Sequence, residues 1–227
     1  MIDVTNVHSG FVQPALQQTP CCQHVRALNL YAGLGGNADL WDESEMDITH
    51  VELNPKIAAV LQRRKPNQKV IIADAHQFLL EHYKEYDFIW ASRPCQKHSK
   101  MNLATRHNMI RYVDGGLFEE IIFLETYFKG KWVVENVVPY YKPYGNPTKI
   151  GRHLFWSNFE IKQMDNVPKS PKGMMNLATV GQKKIMMDWL GIHYDENIYY
   201  DGNHCPVQIL RNCVHPKLGL HVLKMAG

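Results

Sequence analysis

No cysteine in this chain stands in a C-x-x-C pair. Cys21 and Cys22 are adjacent, and Cys95, Cys205 and Cys213 are isolated, so neither a disulfide framework nor a structural zinc site is predicted. Such cysteine usage fits a reducing, cytoplasmic setting. His204-Cys205 and His215 match no common zinc spacing, so no metal is expected. The chain also lacks any apolar stretch near the roughly 20 residues of a membrane helix, and no membrane partner is expected. Its first 25 residues hold Pro14, Pro20 and several glutamines but no signal-peptide apolar block, and read as a poorly structured extension. Internal repeats and low-complexity tracts are absent. Charge of one sign is scarce too: a formal +3 does not by itself define a nucleic-acid partner.

What is present is the ordinary make-up of a globular protein, 45% hydrophobic and 21% charged over 227 residues, enough for one sizeable core. Apolar runs at 26–31, 47–52, 69–73, 87–91 and 131–135 read as strands, and helical patterns lie near 36–42, 55–64, 75–84 and 116–128. Strand and helix in turn imply βαβ units and an α/β, mostly parallel sheet. The strands are nearly continuous in apolar residues, as expected when helices cover both faces. Pro55 suits a first helical turn, and Lys65-Pro66 ends that helix. Beyond 160 the pattern weakens. Residues 161–180 read as an extended loop and 181–190 as a short helix, and an apolar terminal segment should pack back on the sheet.

The first strand runs into Tyr31-Ala32-Gly33-Leu34-Gly35-Gly36, where glycine lets the backbone approach a ligand and tolerates positive φ. Glu52 closes the second strand, 19 residues beyond Gly33, placed for two ribose hydroxyls. Asp74 closes the third, placed for an adenine amino group. Together these describe an adenosine-containing cofactor, either NAD or S-adenosylmethionine.

Two further stretches bear on that choice. In WASRPCQKHSK, residues 90–100, an apolar run ends at Pro94 and a lone thiol follows, Cys95. A packing cysteine belongs inside the apolar run; one at a strand's exit can face a ligand. In KWVVENVV, residues 131–138, Glu135-Asn136 ends the fifth strand forty residues after Cys95, a distance that fits one loop-helix crossover. If the fourth strand neighbours the first, Cys95, Glu135 and the glycine turn open on one crevice. A helix-capping or ion-paired acid is the plainer reading of Glu135.

LNLYAGLGG, SRPCQKHS, VVENV, GRHLFW and RNCVHPKLG occur in the order of the sequence blocks of the cytosine carbon-5 DNA methyltransferases. From about residue 27 onward the chain resembles a compact member of that family, of the short kind often encoded by phages. The resemblance implies a Rossmann-like methyltransferase fold, S-adenosylmethionine as cofactor, double-stranded DNA as partner, and methyl transfer to carbon 5 of cytosine. It makes Cys95 the nucleophile that adds to carbon 6 of a flipped base, and Glu135 the group that protonates ring nitrogen 3. The two arginine positions of the family's GRHLFW block fall on Gly151 and His153, with Arg152 between them. Arg152 is the expected contact to the cytosine carbonyl, with His153 the competing assignment.

The resemblance assigns Tyr31, Ala32, Gly33, Leu34, Gly35 and Gly36 to the methionine and sugar region of the cofactor. Glu52 goes to the ribose, Leu53 to the adenine face, and Asp74 with Ala75 to the adenine edge. Pro94, Leu117, Asn212 and Val214 complete the pocket. Lys97, Ser99, Lys100, Arg106 and Arg111 match a loop that closes over the flipped base, and Asn136 steadies the geometry around Glu135; on charge alone that loop is equally a solvated one. Arg93 departs from the family, which has a second proline there. It reaches a phosphate or cofactor carboxylate, or points to solvent.

The expected domains are an extension over 1–25, a catalytic and cofactor core over 26–160, a reduced target-recognition region over 161–204, and a C-terminal segment, 205–227, folding back on the core. So small a recognition region implies a short target, or recognition shared with a homodimer mate or partner subunit. Lys169, Lys172, Lys183 and Lys184 are DNA contacts or solvated surface. The rival readings are methylation of RNA or a free nucleotide, a catalytically silent DNA-binding homologue, and, last, a nicotinamide-dependent oxidoreductase.

Overall fold

The run Phe88-Ile89-Trp90-Ala91 is wholly buried, at 2% exposure or less, which requires cover on both faces of its strand. The computed structural model describes residues 24–104, 112–171, 180–199 and 205–227. Within them lie strands β1 (Val25–Leu30), β2 (Met46–Glu52), β3 (Lys69–Ile72), β4 (Phe88–Ala91), β5 (Lys131–Val137), β6 (Thr148–Ile150) and β7 (His153–Ser157). They form one sheet in the order β3-β2-β1-β4-β5-β7-β6. The first five are parallel, and β7 runs antiparallel between β5 and β6. This is the α/β, mostly parallel arrangement expected. β4 neighbours β1, so the strand order reverses direction between them and a crevice opens at their carboxyl ends.

Helix α1 (Pro55–Arg64) starts where Asn54 accepts from the Lys56 and Ile57 amides, and Pro55 costs it no hydrogen bond there. Helix α2 (Ala75–His82) is capped by Asp74, α3 (Met101–Ala104) is one turn, and α4 (Gly116–Tyr127) crosses between β4 and β5. Helices α5 (Val180–Leu190), α6 (Gln208–Arg211) and α7 (Pro216–Lys224) follow the sheet. One face of the sheet buries Leu28, Leu30, Ile89, Leu117 and Leu124; the other buries Ala27, Trp41, Trp90, Phe155 and Val222.

One expected helix does not form. Residues 36–42 are not helical: Gly35, Ala38 and Trp41 each bond three residues back, a chain of tight turns. Asn37 explains this, because its side chain is spent on the buried Asn29 at 2.8 Å and anchors the loop. The block at 148–158 is a hairpin the apolar pattern did not separate. The apolar C-terminal segment is two helices. The extension over 1–25 lies outside the described residues except at its last two, and Val25 already begins β1. Among the described residues no helix is long and apolar enough to cross a membrane.

Candidate active site

At the carboxyl end of β1 the chain takes the left-handed conformation three times in five residues, at Tyr31, Gly33 and Gly35. A β-carbon at Gly33 would meet nothing within 4 Å, so the turn leaves open space there. Gly35 and Gly36 have none: a β-carbon would fall 2.7 Å from Leu61 Cδ1 and 2.6 Å from the Val214 carbonyl. Ala32 and Leu34 are buried beneath. The two outer glycines therefore serve packing, and Gly33 alone borders free volume.

Glu52 turns back onto this loop. Gly33 N–H donates to its Oε2 and Asn54 N–H to its Oε1, both at 2.9 Å. Burial pushes its carboxyl above the usual range, while those amides and that of Leu53 pull it back. Each oxygen keeps a lone pair for a further donor. Beside it Leu53 is 64% exposed and Ile72 58% exposed, an apolar floor at the rim. Asp74 stands exposed at the head of α2 with Oδ1 on the Gln77 amide, and Ala75 is buried behind it. These residues fit an adenosine group: a fixed acid for two hydroxyls, apolar faces, and a rim carboxylate. Leu117, 1% exposed, belongs to the core on the face of the sheet that buries Leu28, Leu30 and Ile89. Val214 is buried against Gly36, whereas Asn212 is exposed and takes a bond from Gln208 at 3.0 Å.

Cys95 leaves β4 after the exposed Pro94. His98 and Ser99 amides both bond the Cys95 carbonyl at 3.0 Å, and Ser99 bridges to Pro139, so this loop begins docked on the segment after β5. Lys97 and Lys100 point to solvent; Arg106 and Arg111 lie outside the described residues. Asn136, buried on β5, donates to the Arg93 carbonyl at 3.1 Å. It ties the strand that carries Glu135 to the loop that carries the thiol. Burial pushes the Cys95 thiol up to about 11; the Glu135 charge adds to this and Arg152 opposes it. Thiol, carboxyl and guanidinium thus share one electrostatic environment.

Glu135 is buried at 6% exposure, and His153 Nδ1 lies 2.6 Å from its Oε1. Arg152 sends Nη2 to the carbonyls of Arg211 at 2.6 Å and Cys213 at 3.4 Å, and Nε to His153 Nε2 at 3.2 Å. Its charge is close to the thiol, but its hydrogen bonds fasten the C-terminal segment. His153, not Arg152, touches the acid. Arg152 and His153 also border a cavity of about 320 Å³ with Lys169, Trp189 and His215, and no carboxylate is among the described residues that line it. A larger cavity of about 560 Å³, around Arg26 and Asp87, sits at the amino ends of β1 and β4, away from this chemistry.

Sequence reasoning did not foresee the cluster at Arg93. Its guanidinium reaches Glu120 at 2.6 Å, Tyr31 Oη at 2.7 Å and Asp114 at 3.2 Å, so it faces neither solvent nor an open anion site. Tyr31 also bonds Glu120, and His76 lies 3.1 Å from the same carboxyl. Glu120 is fully buried with Oε2 unpartnered. Its spacing from Leu117 and Leu124 on the apolar face of α4 was the signal available. Lys183 is likewise internal, on the Asp195 and Glu196 carbonyls at 3.0 and 2.8 Å, which removes it from the DNA-facing set; Lys169 and Lys184 are exposed, and Lys172 and His204 lie outside the described residues.

A parallel sheet reversing beside β1, a glycine turn and an acid closing β2 define the Rossmann-like fold of the S-adenosylmethionine-dependent methyltransferases. The profile of the C-5 cytosine-specific DNA methylases matches residues 25–146, just over half of the chain, and the chain belongs to that family. The match includes Cys95 and Glu135 and stops short of the hairpin at Gly151. Among solved structures, a SAM-dependent methyltransferase from Agrobacterium tumefaciens is 16% identical over 52% of this chain and 40% of its own, with a TM-score of 0.39. A mutant DNMT2 of Spodoptera frugiperda is 24% identical over 50% and 35%, with a TM-score of 0.37. A putative prophage-encoded DNA modification methyltransferase from E. coli is 15% identical over 52% and 33%, also at 0.37. The chain spans well under half the length of each. No curated protein matches it in sequence.

Proposed function

We propose that this protein methylates carbon 5 of cytosine in double-stranded DNA through a covalent Cys95 adduct. The reading rests above all on the junction of β4 and β5, where Asn136 holds the Arg93 carbonyl and so joins the thiol loop to the strand of a buried carboxyl. Carbon 5 of cytosine is too weak a nucleophile to take a methyl group unaided. Addition of the Cys95 thiolate to carbon 6 forms a C–S bond and moves electron density onto carbon 5. Glu135 gives its proton to nitrogen 3 in the same event, so the ring gathers no net charge. Bound S-adenosylmethionine supplies the electrophilic methyl group. Carbon 5 then loses its proton to water, the C–S bond breaks to return the thiolate, and Glu135 recovers the proton of nitrogen 3.

Electrostatics favours this division of labour. A thiol titrating at about 11 is about one part in ten thousand ionised at pH 7. The Glu135 charge is one cause of that, so a proton on Glu135 lowers the cost of the thiolate. One negative charge in the pocket, on sulfur and beside Arg152, serves both roles.

Tritiated-methyl transfer to duplex DNA, tRNA and dCMP tests the substrate, and bisulfite sequencing of a plasmid from expressing cells reads the sequence context. Label is expected in the duplex alone. Cys95→Ser should fall below about one-thousandth of wild type, and Glu135→Gln should lose about a hundredfold in kcat. Undiminished methylation by Cys95→Ser, or label confined to tRNA or dCMP, sinks the proposal.

A further inference from the structure

The β6–β7 connection is a two-residue hairpin: Ile150 pairs with His153, and Gly151 has φ of +58°. A positive φ at the first central position is what the II′ turn demands, so Gly151 is committed to the turn. That turn sets the register in which Val137 opposes His153 on β5. Glu135, two residues from Val137, therefore shares a sheet face with His153 and lies diagonal to it, within reach of a ring nitrogen. A slip of one residue would bring Arg152 or Leu154 to that face.

The ring has two partners of different character. Arg152 Nε–H can only donate, and it meets His153 Nε2 at 3.2 Å. Nε2 must then be the bare nitrogen of a neutral ring, which leaves the ring's proton on Nδ1. Nδ1–H donates to Glu135 Oε1 at 2.6 Å. With Oε1 occupied as an acceptor, the proton of a neutral Glu135 belongs on Oε2.

We propose that Arg152 and His153 form a relay that sets the proton position of Glu135: arginine fixes the imidazole tautomer, and the tautomer reserves Oε2 as the oxygen that protonates the base. The inference deepens the reading of Glu135 as that proton donor and rests on it. His153 is a positioning residue. After Glu135 gives up its proton, the same Nδ1–H bond stabilises the carboxylate, and the proton returns by the same oxygen. This is a task for imidazole in particular. Its two nitrogens are distinct, so a donor on one side dictates a donor on the other.

Nitrogen-15 NMR of the histidine-labelled protein tests the relay without catalysis, with His153→Asn assigning the signal by difference. His153 should carry its proton on Nδ1, and Arg152→Met should release the ring towards the Nε2–H form. In methyl transfer to plasmid DNA, His153→Leu should lose about tenfold or more in kcat with KM for DNA and cofactor within about twofold, as removal of one charge-assisted hydrogen bond implies. His153→Asn, whose amide can donate from the Nδ1 position, should be about tenfold more active than His153→Leu. A wild-type ring protonated on Nε2, or His153→Leu with full kcat while Glu135→Gln is impaired, overturns the relay and leaves the parent reading intact. Full activity of Glu135→Gln overturns both.

Discussion

In the mechanism proposed above, Cys95 must be neutral enough to sit half-buried near a carboxyl group and reactive enough to attack a ring. In the free protein burial dominates, and the thiol titrates at about 11. The sign is testable. Alkylation of the Cys95 peptide by iodoacetamide, followed by mass spectrometry, should be slow at neutral pH and rise about tenfold per pH unit towards pH 11. Glu135→Gln removes a negative charge next to the sulfur, so at pH 8 it should speed alkylation even as it slows methylation. A thiol that titrates near 8.5 in the wild type would contradict the burial described. At the same scale, one site left open by the residue pattern is resolved by contacts: Arg93 closes on Glu120 and Asp114. Of the two neighbours Arg152 and His153, it is His153 that lies against Glu135.

Strand β2 carries a buried imidazole at His50, 1% exposed, between Asn29 and Gln68. Asn29 Nδ2 donates to Nδ1, so the neutral ring donates from Nε2 to Gln68. Burial holds its pKa down at about 4, helped by Lys65 and Arg64 and opposed by Gln68 and Glu43. The unfolded chain binds this proton near 6.5, the native state only near 4. Stability present above pH 6.5 is therefore lost as pH falls towards 4, by about 3 kcal/mol from this group. Urea unfolding at pH 7 and pH 4.5 should show that loss, and His50→Gln should show a visibly smaller one. An equal loss in the variant would assign the acid sensitivity elsewhere.

Across the whole molecule, the last 23 residues complete the first turn. The Val214 carbonyl lies where a β-carbon of Gly36 would be, and a β-carbon on Gly219 would fall 1.9 Å from the Asn37 carbonyl. Helix α7 is thus seated directly on the loop that borders the cofactor crevice. Gly219→Ala should lower the melting temperature by about 5 °C through overpacking and weaken S-adenosylhomocysteine binding in calorimetry. Gly181→Ala, at a helical position with nothing within 4 Å, should do neither. Equal behaviour of the two variants would mean that the end of the chain does not support the crevice.

Much of this architecture was legible in residue order. Strand and helix alternation, Pro55 with Asn54 at a helix start, and the continuous apolar run at Phe88–Ala91 are local signals set by periodicity and backbone chemistry, so α1, α4 and the parallel strands stand close to where they were expected. Glu52, Glu135 and Cys95 were visible because they lie at, near or just beyond the carboxyl ends of β2, β5 and β4, and those ends of a parallel sheet share one edge whatever the loops do. What only the tertiary structure decided depends on register and on contacts far apart in sequence. Residues 36–42 become turns because Asn37 bonds Asn29. Arg93 is neutralised by an acid 27 residues further on. His153 reaches Glu135 because a two-residue turn and an antiparallel pairing put them on one face. Periodicity carries no information on which side chain lies diagonal to which, since a shift of one residue leaves the pattern equally apolar and exchanges every partner.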